Sequence, residues 1–246
     1  GTFFLVDMNA FFAAIEQRCN PFLQGKPVLV CGDPTTRTVV AAASYEARPY
    51  GVESGMSLQE ALRLCPHAVL VEGNPAKYVD TAKRLHRIFL EFTPQMEVFS
   101  IDEVFLELPA SADPLDTARA IKRRIMEQEG LTCSIGIAGN KLLAKLAASL
   151  QKPDGLVWIK PEDVEEVLKD LPVKKMPGIG EKTAARLEAL GVKTLGELAR
   201  CPEDKLLQVF GDCMSQFLHQ AGLGRDETPI SAFYQEPVIK SMGHSY

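Results

Sequence analysis

Three carboxylates stand at the ends of strongly apolar segments of this sequence. Asp7 ends the run "TFFLVD", and Asp102 and Glu103 lie within "VFSIDEVFLEL". Two adjacent acids in a straight strand point to opposite faces, whereas two acids at the bend of a hairpin can share one cavity. Carboxylates brought together repel one another unless a cation neutralises them, and oxygen ligands without clustered His or Cys favour Mg²⁺ or Mn²⁺ over Zn²⁺. The pattern predicts a divalent-metal site, with an exposed acidic turn beside an unrelated Asp as the alternative.

The apolar pattern also predicts the elements that must position these acids. An unbroken apolar run predicts a buried strand over residues 2–6, and the residues on both sides of Asp102 predict a strand, a tight bend and a second strand. Further strands are predicted at 27–31, 39–43 and 132–138, and helices at 9–19, 57–64, 77–92, 114–129 and 141–150. Strands and helices therefore alternate up to about residue 160, as in an α+β or mixed α/β core.

The pattern changes after residue 160, where the sequence becomes helical with short Gly and Pro breaks. Its clearest feature is "KKMPGIGEKTAARLEALGVKTLGELA". Gly178 and Gly180 permit a tight turn, and the free backbone N–H groups that begin the following helix suit a phosphate. An ordinary turn between helices is the alternative, since Gly is common there.

Composition limits the possible classes of protein. The 246 residues suit two or three small domains, and no apolar run approaches the roughly 18 residues of a membrane span. The six cysteines show no C-x-x-C pairing, which favours reduced thiols in a cytoplasmic protein. The net charge of −5 conflicts with non-specific nucleic-acid binding, which usually needs a basic face, although the distribution of charge matters more than its sum.

Four stretches in order resemble the Y-family DNA polymerases, which are translesion enzymes, and most closely their DinB branch. The stretches are "FFLVDMNAFFAAIEQRCNPFLQGKPVLV", "AAASYEARPYGVESGM", "FSIDEVFLEL" and "CSIGIAGNKLLAKLAASLQKPDGL". Together with the later "MPGIG" they cover most of residues 3–200. Their order and spacing match the family, which carries far more weight than a single SIDE motif would.

The resemblance implies a domain arrangement within the α+β, mixed α/β class. A palm, residues 1–10 and 75–160, would hold a carboxylate-bearing sheet with flanking helices. A small fingers domain would span residues 11–74. An all-helical thumb with a helix-hairpin-helix-like motif would span residues 161–230. Residues 231–246 would begin a linker to a C-terminal little-finger domain, so we expect this chain to be a catalytic core fragment.

The implied reaction is template-directed addition of dNTPs to a primer 3′ end by two-metal phosphoryl transfer, in low-fidelity translesion synthesis during DNA repair and damage tolerance. By resemblance, Asp7 and Asp102 would bridge two Mg²⁺ ions, for which Mn²⁺ can substitute. Glu103 would hold the ion on the primer side. The backbone carbonyl of Met8 would be an additional ligand.

The resemblance also implies a nucleotide site. Tyr45, Arg48 and Lys152 match positions that contact the triphosphate. Phe12 matches the steric gate that excludes a ribose 2′-hydroxyl, and Phe11 lies beside it in the same motif. Taken singly, each would more often be a solvated or core residue.

Other positions depart from the family pattern. Ala10 stands where relatives often have Tyr or Ser, and Ala42 where they often have Thr, so those side-chain contacts are lost. Gly32 and residues 41–43 place very small side chains where the fingers would roof the nascent base pair. Weak shape selection would follow, and tight strand packing is the alternative reason for small residues there.

In the thumb, the resemblance implies contacts with the DNA backbone by Gly178, Ile179, Gly180 and Lys182. The expected partners are primer–template DNA, a dNTP and a sliding clamp reached through the missing C-terminal region. We expect a monomer with no membrane association. A palm-type nucleotidyl cyclase or nuclease is disfavoured by the "YEAR" and "KPDG" segments. An inactive DNA-binding paralogue is disfavoured by the intact acids.

Overall fold

The structure, a computed structural model, describes residues 1–239. Within them, two sheets are built from strands β1 Thr2–Met8, β2 Val28–Cys31, β3 Val40–Ala43, β4 Val69–Glu72, β5 Met96–Ser100, β6 Glu103–Leu108, β7 Cys133–Ala138 and β8 Leu156–Trp158. The α-helices are α1 Phe11–Cys19, α2 Leu58–Leu64, α3 Pro75–Phe92, α4 Pro114–Glu129, α5 Lys141–Leu150, α6 Val164–Leu168, α7 Glu181–Ala189, α8 Leu195–Arg200 and α9 Glu203–Gly222. This is the mixed α/β class predicted from the sequence.

The larger sheet has five strands in the order β5-β6-β1-β7-β8. Its central strand, β1, pairs antiparallel with both β6 and β7, and β8 runs parallel to β7. In this register Asp7 lies opposite Glu103 on one side and opposite Ser134 on the other. The first predicted acid therefore sits near the end of the central strand.

The two faces of this sheet pack against different parts of the chain. Phe4 and Val6 lie in one core with residues of α1, α3 and α4, and Leu5 and Phe105 lie in another with α5 and the C-terminal helices. Residues two apart in a strand share a face. Asp7 therefore lies on the side of Leu5, towards α5.

The smaller sheet, in the order β3-β2-β4, lies between residues 28 and 72. Its strand β2 is antiparallel to β3 and parallel to β4, and its outer face packs on α2 through Leu29, Val40 and Ala61. The strand β4 was not predicted, because its four residues form a short apolar run without a distinctive period. Helix α1 lies in the same core as α3 and α4. The hydrophobic core therefore continues across residue 10, where the boundary between palm and fingers was predicted from the sequence.

Helix boundaries follow from capping residues. Asp113 caps α4 by accepting from the Asp116 N–H at 2.9 Å, and Gly130, with φ of +61°, ends that helix. Asn140 caps α5 by accepting from the Leu143 N–H at 2.8 Å. These signals explain why both helices have the bounds predicted from the sequence.

The helices α6–α9 bury leucines in the core that they share with α5. Residues 225–239 have no regular secondary structure and pass the edge strand β5. There Ser231 N–H donates to the Glu97 carboxylate at 2.8 Å, and the hydroxyl of Tyr234 lies 3.1 Å from His86 Nδ1. The predicted linker, 231–246, lies partly outside the described residues. None of the helices in residues 1–239 has both the length and the apolar character needed to cross a membrane.

Candidate active site

The three predicted acids meet at one edge of the larger sheet. Asp102 lies in the tight turn between β5 and β6, and Glu103 is the first residue of β6. Met8 N–H donates to the backbone oxygen of Asp102 at 2.9 Å, which ties the turn to the end of β1. The predicted hairpin bend is therefore confirmed, and it brings Asp102 and Glu103 beside Asp7.

Ser100 links the two acids of the turn. Its hydroxyl oxygen lies 2.8 Å from Asp102 Oδ1 and 3.1 Å from Glu103 Oε2. A hydroxyl in contact with two carboxylates restricts how far either can rotate. The turn therefore presents its acids in a restricted set of orientations.

Two lysines neutralise acids at this edge. Lys145 of α5 donates to Glu103 Oε1 at 2.8 Å, and Lys152, which follows α5, forms an ion pair with Asp7. The Lys145 ammonium also lies 4.1 Å from the ring centroid of Phe99, a favourable cation–π distance. Both lysines come from the α5 side because the acids face that side of the sheet.

Burial disfavours the charged form of two of these acids. Burial raises the pKa of Asp102 to about 6, and the nearby Asp7 carboxylate adds to the rise. Burial also raises the pKa of Asp7, while the Lys152 ammonium opposes the rise. Carboxylates destabilised in this way are stabilised by a bound cation.

The donor chemistry fits a hard divalent cation. Within residues 1–239, no three His, Cys, Asp or Glu side chains converge in an arrangement ready to hold an ion. Asp7 and Glu103 are instead engaged by Lys152 and Lys145, which supply positive charge at this edge. Because the available ligands are all oxygens, the site suits Mg²⁺ or Mn²⁺ once those ion pairs open.

The acids open into a cleft of about 990 Å³ that holds all the residues predicted to bind nucleotide. Besides the acids, its lining includes Phe11, Phe12, Tyr45, Arg48 and Lys152. The Arg48 guanidinium lies 4.0 Å from the ring centroid of Tyr45 and donates to the Ala43 carbonyl at 3.4 Å. These contacts fix the position of the Arg48 guanidinium in the lining of the cleft.

The two adjacent phenylalanines occupy different environments. Phe11 is 3% exposed and packs in the core beside the cleft. Phe12 is half-buried and stacks on Tyr78, with ring centroids 4.4 Å apart and an interplanar angle of 18°. The Tyr78 hydroxyl donates to the buried Glu16 carboxylate at 2.9 Å, so the ring behind Phe12 is itself fixed.

The predicted DNA-binding residues of the thumb lie outside that cleft. Gly178 has φ of +91°, and Gly180 caps α7, with open space where a Cβ would be. Ile179 is buried and Lys182 is exposed. Only backbone groups of this turn, with the Lys182 side chain, are therefore free to contact a ligand.

A second cleft of about 680 Å³ adjoins the first. It lies between Gly178 and Phe217 on the side of α7 and α9 and Lys141 of α5 on the side of the sheet. Lys145 and Phe99 line both clefts. The helical turn and the carboxylates therefore border one continuous groove.

Four residues of the site were not identified from the sequence. They are Asn9, Ser100, Ser134 and Lys145. Ser100 precedes the acid pair directly, and Lys145 lies one helical turn after Lys141 on a helix that follows the sheet. Those positions could have drawn attention to both. Asn9 Nδ2 donates to Ser134 Oγ at 3.0 Å across 125 positions of the chain, and sequence spacing does not show such a contact.

Two family models match the chain. One is described as the impB/mucB/samB family and matches residues 6–149. The other is described as the IMS family HHH motif and matches residues 161–192. The first includes the three acids and the cleft residues that precede or lie in α5, and the second includes the glycine turn.

Relatives and solved structures agree with these matches. The chain is 43% identical to DNA polymerase IV of Moorella thermoacetica, over 98% of this chain and 61% of the relative. The crystal structure of DinB from Sulfolobus solfataricus is 32% identical, with a TM-score of 0.87 over 94% of this chain and 69% of that one. A Y-family DNA polymerase chimera, Dbh-Dpo4(243-245)-Dbh, is 32% identical, with a TM-score of 0.88 over 94% and 70%. The chain spans about three fifths of the length of the curated relatives that it matches.

Proposed function

This chain belongs to the impB/mucB/samB family, the Y-family DNA polymerases, and on that premise we propose that it carries the catalytic centre of a template-directed DNA polymerase. The observation that carries the proposal is the meeting of Asp7, Asp102 and Glu103 at one sheet edge, facing a cleft of about 990 Å³. A cleft of that size accommodates a nucleoside triphosphate. The reaction is addition of a dNTP to a primer 3′ end.

Y-family polymerases depend on divalent metal ions, and the acids are the residues that would hold them here. Asp7, Asp102, Glu103 and the Met8 carbonyl form the proposed ligand set for two Mg²⁺ ions, with Mn²⁺ as a substitute. Bound ions supply charge compensation for the triphosphate and lower the pKa of the primer hydroxyl. The raised pKa values of Asp7 and Asp102 support this assignment, because burial disfavours both charged carboxylates and a bound cation would offset that cost.

The basic residues of the cleft would bind the triphosphate. Arg48 has a planar fork that matches two phosphate oxygens, and Tyr45 holds it from one side. Lys152 supplies a point charge next to Asp7. Because phosphoryl transfer needs alignment and charge compensation more than covalent chemistry, these contacts are the main contribution of the protein.

Phe12 would select the sugar. Its ring is held against Tyr78, which is fully buried, so it cannot retreat from a 2′-hydroxyl without disturbing the core. Phe11 contributes through the backbone and the packing beneath the cleft. Ala41 and Ala42 line the same cleft with minimal side chains, which supports low-fidelity synthesis across damaged templates.

The helices of residues 161–230 would bind DNA. The turn at Gly178, Ile179 and Gly180 offers backbone N–H groups, and Lys182 offers a charge near phosphates. We accordingly assign residues 1–10 and 75–160 to the palm, 11–74 to the fingers and 161–230 to the thumb. The segment from 231 onwards would lead towards a little-finger domain.

The proposed partners are primer–template DNA and a dNTP, with a sliding clamp as a partner of the intact protein. We propose that the protein is a monomer, acts in the cytoplasm and serves DNA repair and damage tolerance. These assignments rest on the family and on the names of the relatives, several of which are DNA polymerase IV.

Product analysis on a primed template tests the proposed function. With Mg²⁺ or Mn²⁺ and all four dNTPs, the chain should extend the primer with the complementary nucleotide. Cyclic nucleotides or cut strands would indicate a cyclase or nuclease instead. DNA binding without any product, at chain concentrations that saturate the template, would indicate an inactive binding module.

A further inference from the structure

The loop that carries Lys152 depends on contacts from other parts of the chain. It connects α5 to β8 and contains Asp154, whose φ of +53° lies in the left-handed region. A non-glycine residue adopts that conformation only with local support. The contacts around Asp154 and Gly155 therefore determine where the loop places its lysine.

The first support is a buried amide below the loop. Asn9 is 5% exposed, and its Oδ1 accepts from the Asp154 N–H at 2.9 Å and from Thr132 Oγ1 at 3.0 Å. Its Nδ2 donates to Ser134 Oγ at 3.0 Å. The same Ser134 oxygen accepts from the Gly155 N–H at 3.3 Å. Two consecutive backbone N–H groups of the loop are thus held by buried side chains of β7 and of the segment after β1.

The second support comes from α4, outside the cleft. Lys122 pairs with Asp154 Oδ1 at 2.7 Å and donates to the Gly155 carbonyl at 3.1 Å. It also donates to the Cys133 carbonyl. An ammonium has three donors, and here each has an oxygen partner. The Asp154 side chain is 58% exposed and can be solvated by water, but Cys133 and Gly155 are buried, so removal of the Lys122 ammonium leaves their carbonyl oxygens without this donor.

We propose that Lys122, Asn9 and Ser134 are positioning residues that hold loop 151–155 so that Lys152 meets the triphosphate. Lys152 reaches the catalytic edge through its ion pair with Asp7. The part of this inference that concerns the triphosphate rests on the proposed function. Lys122 is the residue to test, since it does not line the cleft and contacts no residue of the carboxylate site.

Amide hydrogen exchange tests the structural half of the inference without any substrate. Lys122→Met keeps the apolar stem and removes the ammonium, and Arg123→Met, on the exposed face of the same helix, is the matched control. The amide exchange rate in residues 151–155 should rise about tenfold in Lys122→Met, because a larger fraction of molecules has this loop open. It should stay unchanged in Arg123→Met. Equal exchange in both variants would overturn the inference.

Kinetics test the functional half. Lys122→Met should raise KM for the dNTP about tenfold and leave kcat and primer–template affinity within about twofold, since only the placement of Lys152 changes. In a Lys152→Met background, Lys122→Met should add less than about twofold, because the two residues act through one contact. Lys122→Arg, unlike Lys122→Met, should keep most of the parental affinity for the dNTP. If the increase in KM in the double variant equalled the product of the two single increases, the two residues would act independently and the positioning role would be overturned.

The two failures can be told apart. If the chain adds no nucleotide, its affinity for a fluorescent deoxynucleoside triphosphate replaces KM in the same comparison. If Lys152→Met weakens nucleotide binding and Lys122→Met does not, the inference fails and the proposed function stands. If the loop opens in Lys122→Met and neither variant changes nucleotide binding, both the positioning role and the proposed role of Lys152 are overturned.

Discussion

The carboxylate edge of the larger sheet and the glycine turn before α7 are built in two different ways. At the edge, charged side chains are held by further side chains, such as Ser100 beside Asp102 and Lys145 beside Glu103. At the turn, Gly180 is the N-cap of α7 and has open space where a Cβ would be, and the side chain of Ile179 is buried. Mainly backbone groups are therefore available to contact a ligand there.

The difference fits the roles proposed for the two surfaces. A reaction centre needs charges fixed to within a fraction of an ångström, and buried partners provide that constraint. A surface that holds any phosphate backbone needs only correctly directed N–H groups, and chain conformation provides them. Substitutions at the edge should therefore change chemistry, and substitutions at the turn should change affinity.

The largest effect is expected at the edge. Asp7→Asn keeps the shape of the side chain and removes its charge, so nucleotide addition should fall about 10³-fold or more, as when a charge-stabilising group is lost from a reaction centre. Primer–template affinity should change by less than about twofold. Single-turnover addition and DNA binding measure the two quantities.

Glu107→Gln is the control for that substitution. Glu107 lies on the same strand and face as Glu103, at the far end from the site, opposite Phe3. Its loss should leave turnover unchanged. Comparable losses in Asp7→Asn and Glu107→Gln would mean that the effect comes from the sheet as a whole.

A buried titratable group on α3, which packs against the larger sheet, should give the next largest effect. His86 is 1% exposed, and burial lowers its pKa to about 4 from an ordinary value of 6.5. The unfolded chain takes up this proton near pH 6.5 and the folded chain only near pH 4, so the folded state loses stability as the pH falls through that window. The loss is at most about 3 kcal/mol.

Urea denaturation between pH 7.5 and 4 measures this contribution. His86→Gln, which can still pair with the Tyr234 hydroxyl, should lose less stability over the window than the parent chain. His67→Gln, at an exposed position, should behave like the parent. An identical pH dependence in the parent chain and His86→Gln would contradict the assignment.

A smaller effect is expected at the ring of Phe12, the residue proposed to select the sugar. Phe12→Ala removes the ring that stacks on Tyr78, and incorporation of ribonucleotides relative to deoxynucleotides should rise about tenfold or more. Competition assays with matched rNTP and dNTP measure the ratio. Phe22→Ala, whose ring is 80% exposed, should leave it unchanged. Full discrimination in Phe12→Ala would remove Phe12 from this role.

The smallest effect is expected at the glycine turn before α7, where Gly178 can be compared with a second glycine. Gly178 and Gly191 both have positive φ, but only at Gly178 would a Cβ meet a neighbour, 2.7 Å from the Phe217 ring. Alanine at Gly191 should cost about 1 kcal/mol of stability through strain alone. Gly178→Ala should cost more and weaken primer–template binding a few-fold, with dNTP KM unchanged. A raised KM in Gly178→Ala would break the division between the two surfaces.

The sequence predicted the elements whose signals are local. The acid pair interrupts an apolar run, which marked the hairpin, and Asp113 and Asn140 mark the beginnings of α4 and α5. It did not predict β4, whose pairing with β2 is determined by packing in the smaller sheet.

The side chains that contact the acids could not be predicted from the sequence either, because these contacts depend on strand register and on segments far apart in the chain. Lys145 meets Glu103 only because both lie on one side of the sheet. Asn9 meets Asp154 across 145 positions of the chain. Family resemblance identified which residues would act, and the structure adds the side chains that hold them.

The most direct test of the account is single-nucleotide addition by the chain carrying Asp102→Asn and Glu103→Gln together. We expect the parent chain to add the templated nucleotide only when Mg²⁺ or Mn²⁺ is present. We expect the double variant to bind primer–template DNA equally well and to add no nucleotide. Metal-dependent addition at the parental rate by the double variant would contradict the assignment of the catalytic centre to this edge.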